Sequence, residues 1–175
     1  MSHPFGRLSD LPEFTVTSED VTPGEKLNAP QRSGIMNAGG SDTSPQLSWS
    51  GFPEDTKSFA VTVFDEDAPS PSGFWHWYLL DIPADVTSIE AGIGSVDSAA
   101  LPAGAWQAAN DALFPGYLGA APPPGRKHRY HVTVHALSSE KLDVPPNASG
   151  GIIGCTLFFN SIGRANIESW TDTPA

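Results

Sequence analysis

Residues 58–82 read Ser-Phe-Ala-Val-Thr-Val-Phe-Asp-Glu-Asp-Ala-Pro-Ser-Pro-Ser-Gly-Phe-Trp-His-Trp-Tyr-Leu-Leu-Asp-Ile, and this stretch is the strongest indication of the fold class. Its first seven residues, 58–64, are rich in β-branched and aromatic types, which favour a central β-strand. Residues 75–82 form a second apolar run that predicts a neighbouring strand. The acidic, proline-rich segment between them is then a stiff loop on a rigid scaffold, where binding and catalytic groups tend to lie.

Shorter segments on both sides alternate apolar and polar residues, as half-buried strands do. We expect these strands at residues 13–17, 46–49, 129–137 and near 165–170. Helical signals are few: a short turn over Ser138–Leu142, and a longer candidate over residues 149–163 that its glycines weaken. Many short strands with turn signals between them predict a mainly β fold, an antiparallel sandwich or barrel-like domain with a few short peripheral helices.

No repeat or linker divides the chain, so we expect one domain over residues 1–175, with a loose tail at residues 1–10. Hydrophobic residues make up 39% and charged residues 17% of the chain, which excludes an intrinsically disordered protein.

No apolar run approaches the ~20 residues of a membrane span. The N-terminus lacks the apolar core of a secretory signal, and the single cysteine, Cys155, excludes an internal disulfide. We therefore expect a cytoplasmic protein.

The net charge is −11, which disfavours binding to nucleic acid and to anionic membranes. Basic residues nevertheless cluster in the segment Arg126-Lys127-His128-Arg129. We expect the members of this cluster that point outward to form a solvated turn.

Alternation along the strand that ends at Leu137 divides its histidines between two faces. If the strand has begun by His128, then His128 and Tyr130 share the inward face with the valines that follow. His131 and His135 then point to the other face. Because the prolines just before this strand cannot donate to a ladder, the sheet must end there. The inward row thus begins with His128 and Tyr130 at the rim of a sheet.

Three kinds of site compete for these polar residues, and a metal site is the first. His131 and His135 would stand about 13 Å apart in a strand, whereas zinc ligands lie about 2 Å from the ion, so both cannot bind one metal. The chain has neither an H-E-x-x-H motif nor a pair of cysteines. We expect no metal and no other cofactor.

A hydrolase site is the second alternative, with Asp65 and His76 acting as base and orienter. No Gly-x-Ser-x-Gly elbow supplies a nucleophile. Cys155 lies in an apolar helical candidate and is expected to be a buried small hydrophobe. We therefore expect a protein that is not an enzyme.

A pocket for a small anion is the third alternative. His76, His128 and Tyr130 offer N–H and O–H donors, and phosphate binds where several donors converge. Asp65 would lie behind a histidine, fix its tautomer and turn the free N–H toward the anion. Two structural interpretations stay open beside this one. In the first, His76 is a core residue whose hydrogen bonds are satisfied within the protein, and in the second, Asp65 and Asp67 cap a turn.

Four motifs carry a family resemblance: Asp65-x-Asp67-Ala68-Pro69, Trp75-His76, the segment Gly119–Pro123, and His128-Arg129-Tyr130. Leu47–Pro53 and Glu140–Asp143 extend it over nearly the whole chain. The chain resembles the phosphatidylethanolamine-binding protein family, also called Raf kinase inhibitor-like proteins. It is similar to the bacterial branch of that family, in particular to actinobacterial members.

The resemblance implies a β fold of antiparallel strands and a small cavity for phosphate-like groups, including phospholipid headgroups. By position, the cavity would be lined by Asp65, His76, His128 and Tyr130 and shaped by Ala68, Pro69, Pro122 and Pro123, with Asp67, Trp75 and Gly119 just behind them. The resemblance also suggests a cis bond between Ala68 and Pro69, and it suggests a homodimer.

We accordingly expect a non-enzymatic module that binds a small anion such as phosphate or phosphorylethanolamine. The alternative is a regulator that binds a protein partner, as a protease or kinase inhibitor does, through the same pocket region. A small hydrolase that uses Asp65 and His76 is a third reading.

Overall fold

The computed structural model describes residues 10–174, and the regular structure there consists of eight strands, one α-helix and one 3-10 turn. The strands are β1 (Thr15–Thr17), β2 (Leu47–Ser50), β3 (Ser58–Asp65), β4 (Phe74–Pro83), β5 (Ser88–Ile89), β6 (Trp106–Gln107), β7 (Lys127–Leu137) and β8 (Ser161–Asp172). The helix is α1 (Gly150–Asn160), and the 3-10 turn spans Ala29–Gln31. The mainly β fold predicted from the sequence is confirmed, with one α-helix where a few short helices were expected.

Two antiparallel sheets pack against each other around a shared core. The large sheet has the strand order β6-β4-β3-β7-β8, and the small sheet has the order β1-β2-β5. Trp49 of the small sheet meets Phe59 of the large sheet edge to face, with ring centroids 5.3 Å apart. Val61 and Val63 continue the same face of β3 into this core, as alternation along a strand requires.

The opposite face of the large sheet is covered by helix α1. Ile153 and Leu157, one turn apart, pack against apolar residues of β3 and β4. Ser149 caps the helix by accepting a hydrogen bond from a backbone N–H of the first turn. Because both of its faces are covered, every residue of β3 is buried.

The outward face of α1 is apolar and exposed. Ile152, Cys155 and Phe159 lie on it, and the side chain of Phe159 is 80% exposed. The burial predicted for Cys155 is therefore wrong, because Ile153 and Leu157 occupy the side of the helix that contacts the sheet. The chain has no Asp, Glu, Lys or Arg from residue 144 to residue 163, so this face is also uncharged.

Most predicted elements are present with different ends. The last strand, predicted near residues 165–170, extends over Ser161–Asp172 because it pairs with the whole of β7. The helix predicted over 149–163 ends earlier, because the chain passes directly into β8. Strands β5 and β6 have two residues each, too few to show an alternation in the sequence.

The helical turn predicted for Ser138–Leu142 is wrong, since residues 138–141 form bends and Leu142 has no regular structure. The amides at the two ends of the segment are bonded outside it. The Ser138 N–H donates to the carbonyl oxygen of Asn160, and the Leu142 N–H donates to the Asp81 carboxylate at 2.9 Å. Tertiary hydrogen bonds thus replace the local ones of a helix.

The loose tail predicted for residues 1–10 lies outside the described residues, except for Asp10. Within residues 10–174 no helix is long and apolar enough to cross a membrane. The single domain expected over residues 1–175 stays a prediction.

Candidate functional site

A cavity of about 210 Å³ opens at the end of the large sheet where β3 ends and β7 begins. Asp65, the last residue of β3, pairs in register with Tyr130 of β7. His128 lies two residues before Tyr130 and therefore shares its face. The cavity is lined by Asp65, His76, His128 and Tyr130, the four polar side chains that the sequence predicts.

Asp65 and His128 form a buried pair. The His128 Nδ1 lies 2.7 Å from the Asp65 Oδ2, and the other carboxylate oxygen accepts the Asp67 backbone N–H at 2.9 Å. Both carboxylate oxygens are thus engaged, and the imidazole is held with its Nε2 edge turned away from Asp65. The carboxylate was expected behind a histidine, and His128 rather than His76 is the ring that it holds.

Two polar atoms of this cavity are buried without a hydrogen-bond partner among the described residues. They are the His128 Nε2 and the Tyr130 Oη. Leaving a buried polar group unpaired costs about 1–3 kcal/mol, so native proteins keep few such groups. Because both atoms border the same cavity, they are the groups with which a bound molecule would pair.

Tyr130 is held as a neutral phenol. Burial raises the pKa of Tyr130 far above its ordinary value, and the negative charge of Asp65 raises it further. The hydroxyl therefore keeps its proton at any physiological pH and can donate a hydrogen bond toward the nearby Asp65 carboxylate or to a molecule in the cavity.

His76 reaches the cavity because of a bulge in β4. Val63 of β3 pairs with Trp77, whereas the next residue, Phe64, pairs with Trp75. His76 is the additional residue between them, so the alternation of faces is reset at this point. Trp77 and His76 consequently lie on the same side of the sheet, Trp77 in the shared core and His76 in the cavity.

The tautomer of His76 follows from its hydrogen bond. Its Nδ1 lies 2.8 Å from the carbonyl oxygen of Leu118, and because a carbonyl can only accept, Nδ1 must carry the hydrogen. Burial lowers the pKa of His76, and this outweighs the opposing effects of the Leu118 hydrogen bond and the Asp65 charge. The ring is therefore neutral, with a lone pair on Nε2.

The loop that carries Leu118 is fixed by close backbone contacts. The Gly119 N–H donates to the Asp42 carboxylate at 2.8 Å, and a Cβ on Gly119 would lie 2.5 Å from the carbonyl carbon of Arg32. Only glycine fits between these two segments. The Tyr117 hydroxyl donates to the carbonyl of Gln31 at 2.7 Å and holds the same two segments together.

Apart from its four polar side chains and Ser33, the cavity is lined by apolar residues. Ala68, Pro69 and Pro123 line it as predicted, and Gly119 also contributes to the wall. The cavity is also lined by residues that were not predicted from the sequence: Ser33, Ile35, Met36, Phe74, Leu118 and Ala121. Ile35 and Met36 are 62% and 63% exposed. In the sequence, these two residues differ from their surroundings only as an apolar pair within a polar, glycine-rich segment.

Asp67 tethers the loop after β3 and does not line the cavity. Its carboxylate accepts two hydrogen bonds from the Arg129 guanidinium, both at 2.8 Å, and these lower the pKa of Asp67. Glu66 pairs with the same guanidinium at 2.5 Å. Arg129 is therefore not part of a merely solvated turn, and Lys127 beside it lies 3.8 Å from the ring centroid of Trp170.

Three expectations about the cavity are corrected. Pro122 is buried but does not line it, because the neighbours Ala121 and Pro123 face inward instead. Trp75 lies on the opposite face of the sheet, where it stacks on Tyr78 at 5.1 Å, since the bulge turns it away. The Ala68–Pro69 bond is not cis: every peptide bond between residues 10 and 174 is trans, the isomer that X–Pro bonds also favour.

The remaining histidines of β7 face away from the cavity, as predicted. The His131 Nε2 lies 3.2 Å from the Glu66 carboxylate, and the His135 Nε2 lies 3.2 Å from the Thr62 hydroxyl oxygen. In the part of the chain that the structure describes, no three His, Cys, Asp or Glu side chains are grouped so that they could hold a metal ion.

The chain is similar in sequence to a known protein family and to two bacterial proteins. The family model described as phosphatidylethanolamine-binding protein matches residues 17–169. The UPF0098 protein YbcL of Escherichia coli K12 is 46% identical over 155 residues, which are 88% of this chain and 85% of that protein. The UPF0098 protein YbhB of the same organism is 43% identical over 152 residues, 87% of this chain and 96% of that protein.

Solved structures agree with the sequence matches. The crystal structure of E. coli YbcL, described as a new member of the mammalian PEBP family, gives a TM-score of 0.88 at 45% identity, over 91% of this chain and 98% of that one. A phosphatidylethanolamine-binding protein homologue of Chlamydia trachomatis gives 0.76 at 23% identity, over 91% and 97% of the two chains, and shows the shared fold. The chain belongs to the phosphatidylethanolamine-binding protein family.

Proposed function

We propose that the cavity binds a small anion of the phosphate type, such as phosphate itself or a phosphorylethanolamine headgroup. The observation that carries the proposal is the pair of buried, unpartnered atoms, the His128 Nε2 and the Tyr130 Oη. Tyr130 supplies an O–H donor, and the His128 imidazole, held at Nδ1 by the Asp65 carboxylate, presents its Nε2 to the ligand. Hydrogen bonds to a charged acceptor are about twice as strong as neutral ones.

The apolar part of the lining supports an ester rather than only the free ion. Ile35, Met36 and Phe74 line the cavity, and the carbon part of a phosphate ester could pack against them. Covering an apolar surface is favourable by about 25 cal/mol per Å². The family name points to the same class of ligand, a phosphorylated headgroup.

A titration with phosphorylethanolamine, followed by NMR of the histidine rings, tests the proposal. We expect the ring signals of His76 and His128 to shift, while those of His135, which is buried on the other face of the sheet, stay in place as an internal control. Unchanged His76 and His128 signals at millimolar ligand would contradict the proposal.

We further propose binding without turnover, in a cytoplasmic protein that uses no cofactor. Asp65 is engaged with His128, so the Asp65–His76 pair of the hydrolase reading has no direct contact to support it. A phosphatase assay with a phosphomonoester and a matched acyl-ester assay test this point. Turnover by the wild-type protein that is lost in His76→Ala would restore the hydrolase reading.

A protein-binding role is the second candidate, and a second copy of the chain is the partner we propose. The exposed face of α1 (Ile152, Cys155 and Phe159) favours it, because two copies that each carry a charge of −11 can approach most closely where no charged residue lies. We expect Phe159→Glu to dissociate a dimer that sedimentation detects under reducing conditions, so that a Cys155 disulfide is not the cause. Wild-type protein that sediments as a monomer at high concentration would contradict the candidate.

A further inference from the structure

The two histidines of the cavity are held by different partners. His128 donates through Nδ1 to a carboxylate, which carries a full negative charge that can balance an imidazolium. His76 donates through Nδ1 to the Leu118 carbonyl, which carries none. A buried ring with no balancing charge stays neutral, so the Nε2 of His76 can only accept a hydrogen bond.

We infer that His76 makes the cavity selective for anions that bring their own hydrogen-bond donor, so that hydrogen phosphate is bound and sulfate is rejected. This inference rests on the proposed function and concerns the same site, where phosphorylethanolamine would bring its donor in the ammonium group. Sulfate and hydrogen phosphate are both tetrahedral dianions, and only hydrogen phosphate has an O–H to give to the His76 Nε2. With sulfate, an anionic oxygen would face a lone pair in a buried site.

The groups around His76 do not supply the missing donor. The centroid of its ring lies 5.4 Å from that of Tyr130, in an edge-to-face contact, and 4.9 Å from that of Phe74. The charges that act on it are those of Asp65, Asp111 and His128, and burial outweighs the two carboxylates. The His76 Nε2 therefore disfavours sulfate, which leaves this acceptor unpaired, and favours hydrogen phosphate, which donates to it.

The test is calorimetric binding of inorganic phosphate and of sulfate at about pH 7.5. At that pH phosphate is mainly the dianion HPO4²⁻, so the two ligands match in charge and shape. We expect wild-type protein to bind phosphate at least about tenfold more tightly than sulfate, because sulfate leaves the His76 Nε2 without a donor.

The variant His76→Asn removes the Nε2 acceptor and keeps a donor for the Leu118 carbonyl. The asparagine amide nitrogen can take the place of Nδ1 and donate to Leu118, while the Nε2 acceptor is gone and water, which can donate, takes its place. We expect the preference to fall to within about threefold in this variant. A preference that persists in His76→Asn would overturn the role of His76.

The outcomes separate the inference from the proposed function. Binding of neither anion would overturn the proposed function, and equal binding of both would overturn the inference alone. A measurement that needs no variant is the ¹⁵N spectrum of the wild-type His76 ring. A hydrogen on Nδ1 and none on Nε2 supports the inference, and the opposite tautomer overturns it.

Discussion

At the scale of single residues, the chemistry of the cavity depends on which atom holds each Nδ1. Asp65 holds His128 and leaves its Nε2 in the cavity, while Leu118 holds His76. The chain thus uses one residue type in two ways, and the difference comes from a charged partner in one case and an uncharged one in the other.

The first prediction compares two histidines of β7. We expect His128→Ala to weaken binding of phosphorylethanolamine at least about tenfold, because an N–H to a charged ligand and the balance of Asp65 are both lost. His131→Ala should change the affinity less than about threefold, since His131 faces Glu66 on the other side of the sheet. Calorimetry on both folded variants checks this, and a larger loss in His131→Ala would place the site elsewhere.

The second prediction concerns pH and stability. Burial lowers the pKa of His76 from its ordinary 6.5, so below that pH the unfolded chain takes up a proton that the folded chain refuses. The free energy of unfolding should therefore decrease as the pH falls from about 7.5 to about 5.5, by at most about 1.4 kcal/mol per pH unit from this ring.

Urea unfolding of wild type and His76→Asn at both pH values isolates this contribution. The variant lacks the ring and should lose less stability on acidification. Asp67, whose pKa is lowered by Arg129, loses its contribution only below its ordinary 3.8, outside this window. Parallel losses in the two proteins would show that His76 is not the group responsible.

At the scale of elements, the cavity is built by two irregular pieces of backbone. The bulge of β4 inserts His76 between residues that face opposite sides, and the segment from Tyr117 to Ala120 packs directly on that from Gln31 to Ser33. Irregular backbone is commonly found beside functional sites, where it directs a side chain that a regular strand would turn away.

The third prediction contrasts two glycines. Gly119→Ala should lower the free energy of unfolding by about 1–3 kcal/mol, because its Cβ would overlap the Arg32 backbone, which cannot move alone. Gly154→Ala is the matched control: no atom lies within 4 Å of a Cβ there, and the residue is inside α1. We expect it to raise stability by about 0.5–1 kcal/mol, and thermal unfolding that ranks the two variants the other way would contradict this packing.

At the scale of the whole molecule, the net charge restricts where anions and other copies of the chain can bind. A chain with a charge of −11 repels anions and its own copies at long range, so any binding site for them must act locally. The cavity meets this condition with buried donors, and the outward face of α1 meets it by carrying no charge.

The fourth prediction follows from that repulsion. Self-association through α1 should strengthen when salt is raised from about 0.01 M to about 0.15 M, since the Debye length falls from about 30 Å to about 8 Å. Sedimentation at both salt concentrations measures it, with Phe159→Glu as the control that stays monomeric. A dimer that weakens with salt would instead be held by ion pairs and would rule out α1 as the interface.

The sequence alone determined the sheet, the polar set of the cavity and the face that His128 shares with Tyr130, because strand alternation is a local property with a period of two. It also located the loop from Asp65 to Pro69, since proline and aspartate act on their own backbone.

Only the tertiary structure decided which histidine Asp65 holds, which rim residues close the cavity and on which face Trp75 lies. A bulge changes the register of one strand against another, and regular alternation from Trp77 would have placed His76 on the wrong side of the sheet. Ile35 and Met36 come from a segment far from β3 in the chain, and only packing brings them to the cavity. Pairing between distant segments has no local signature, so the donor and acceptor roles of the two histidines became visible only in the folded molecule.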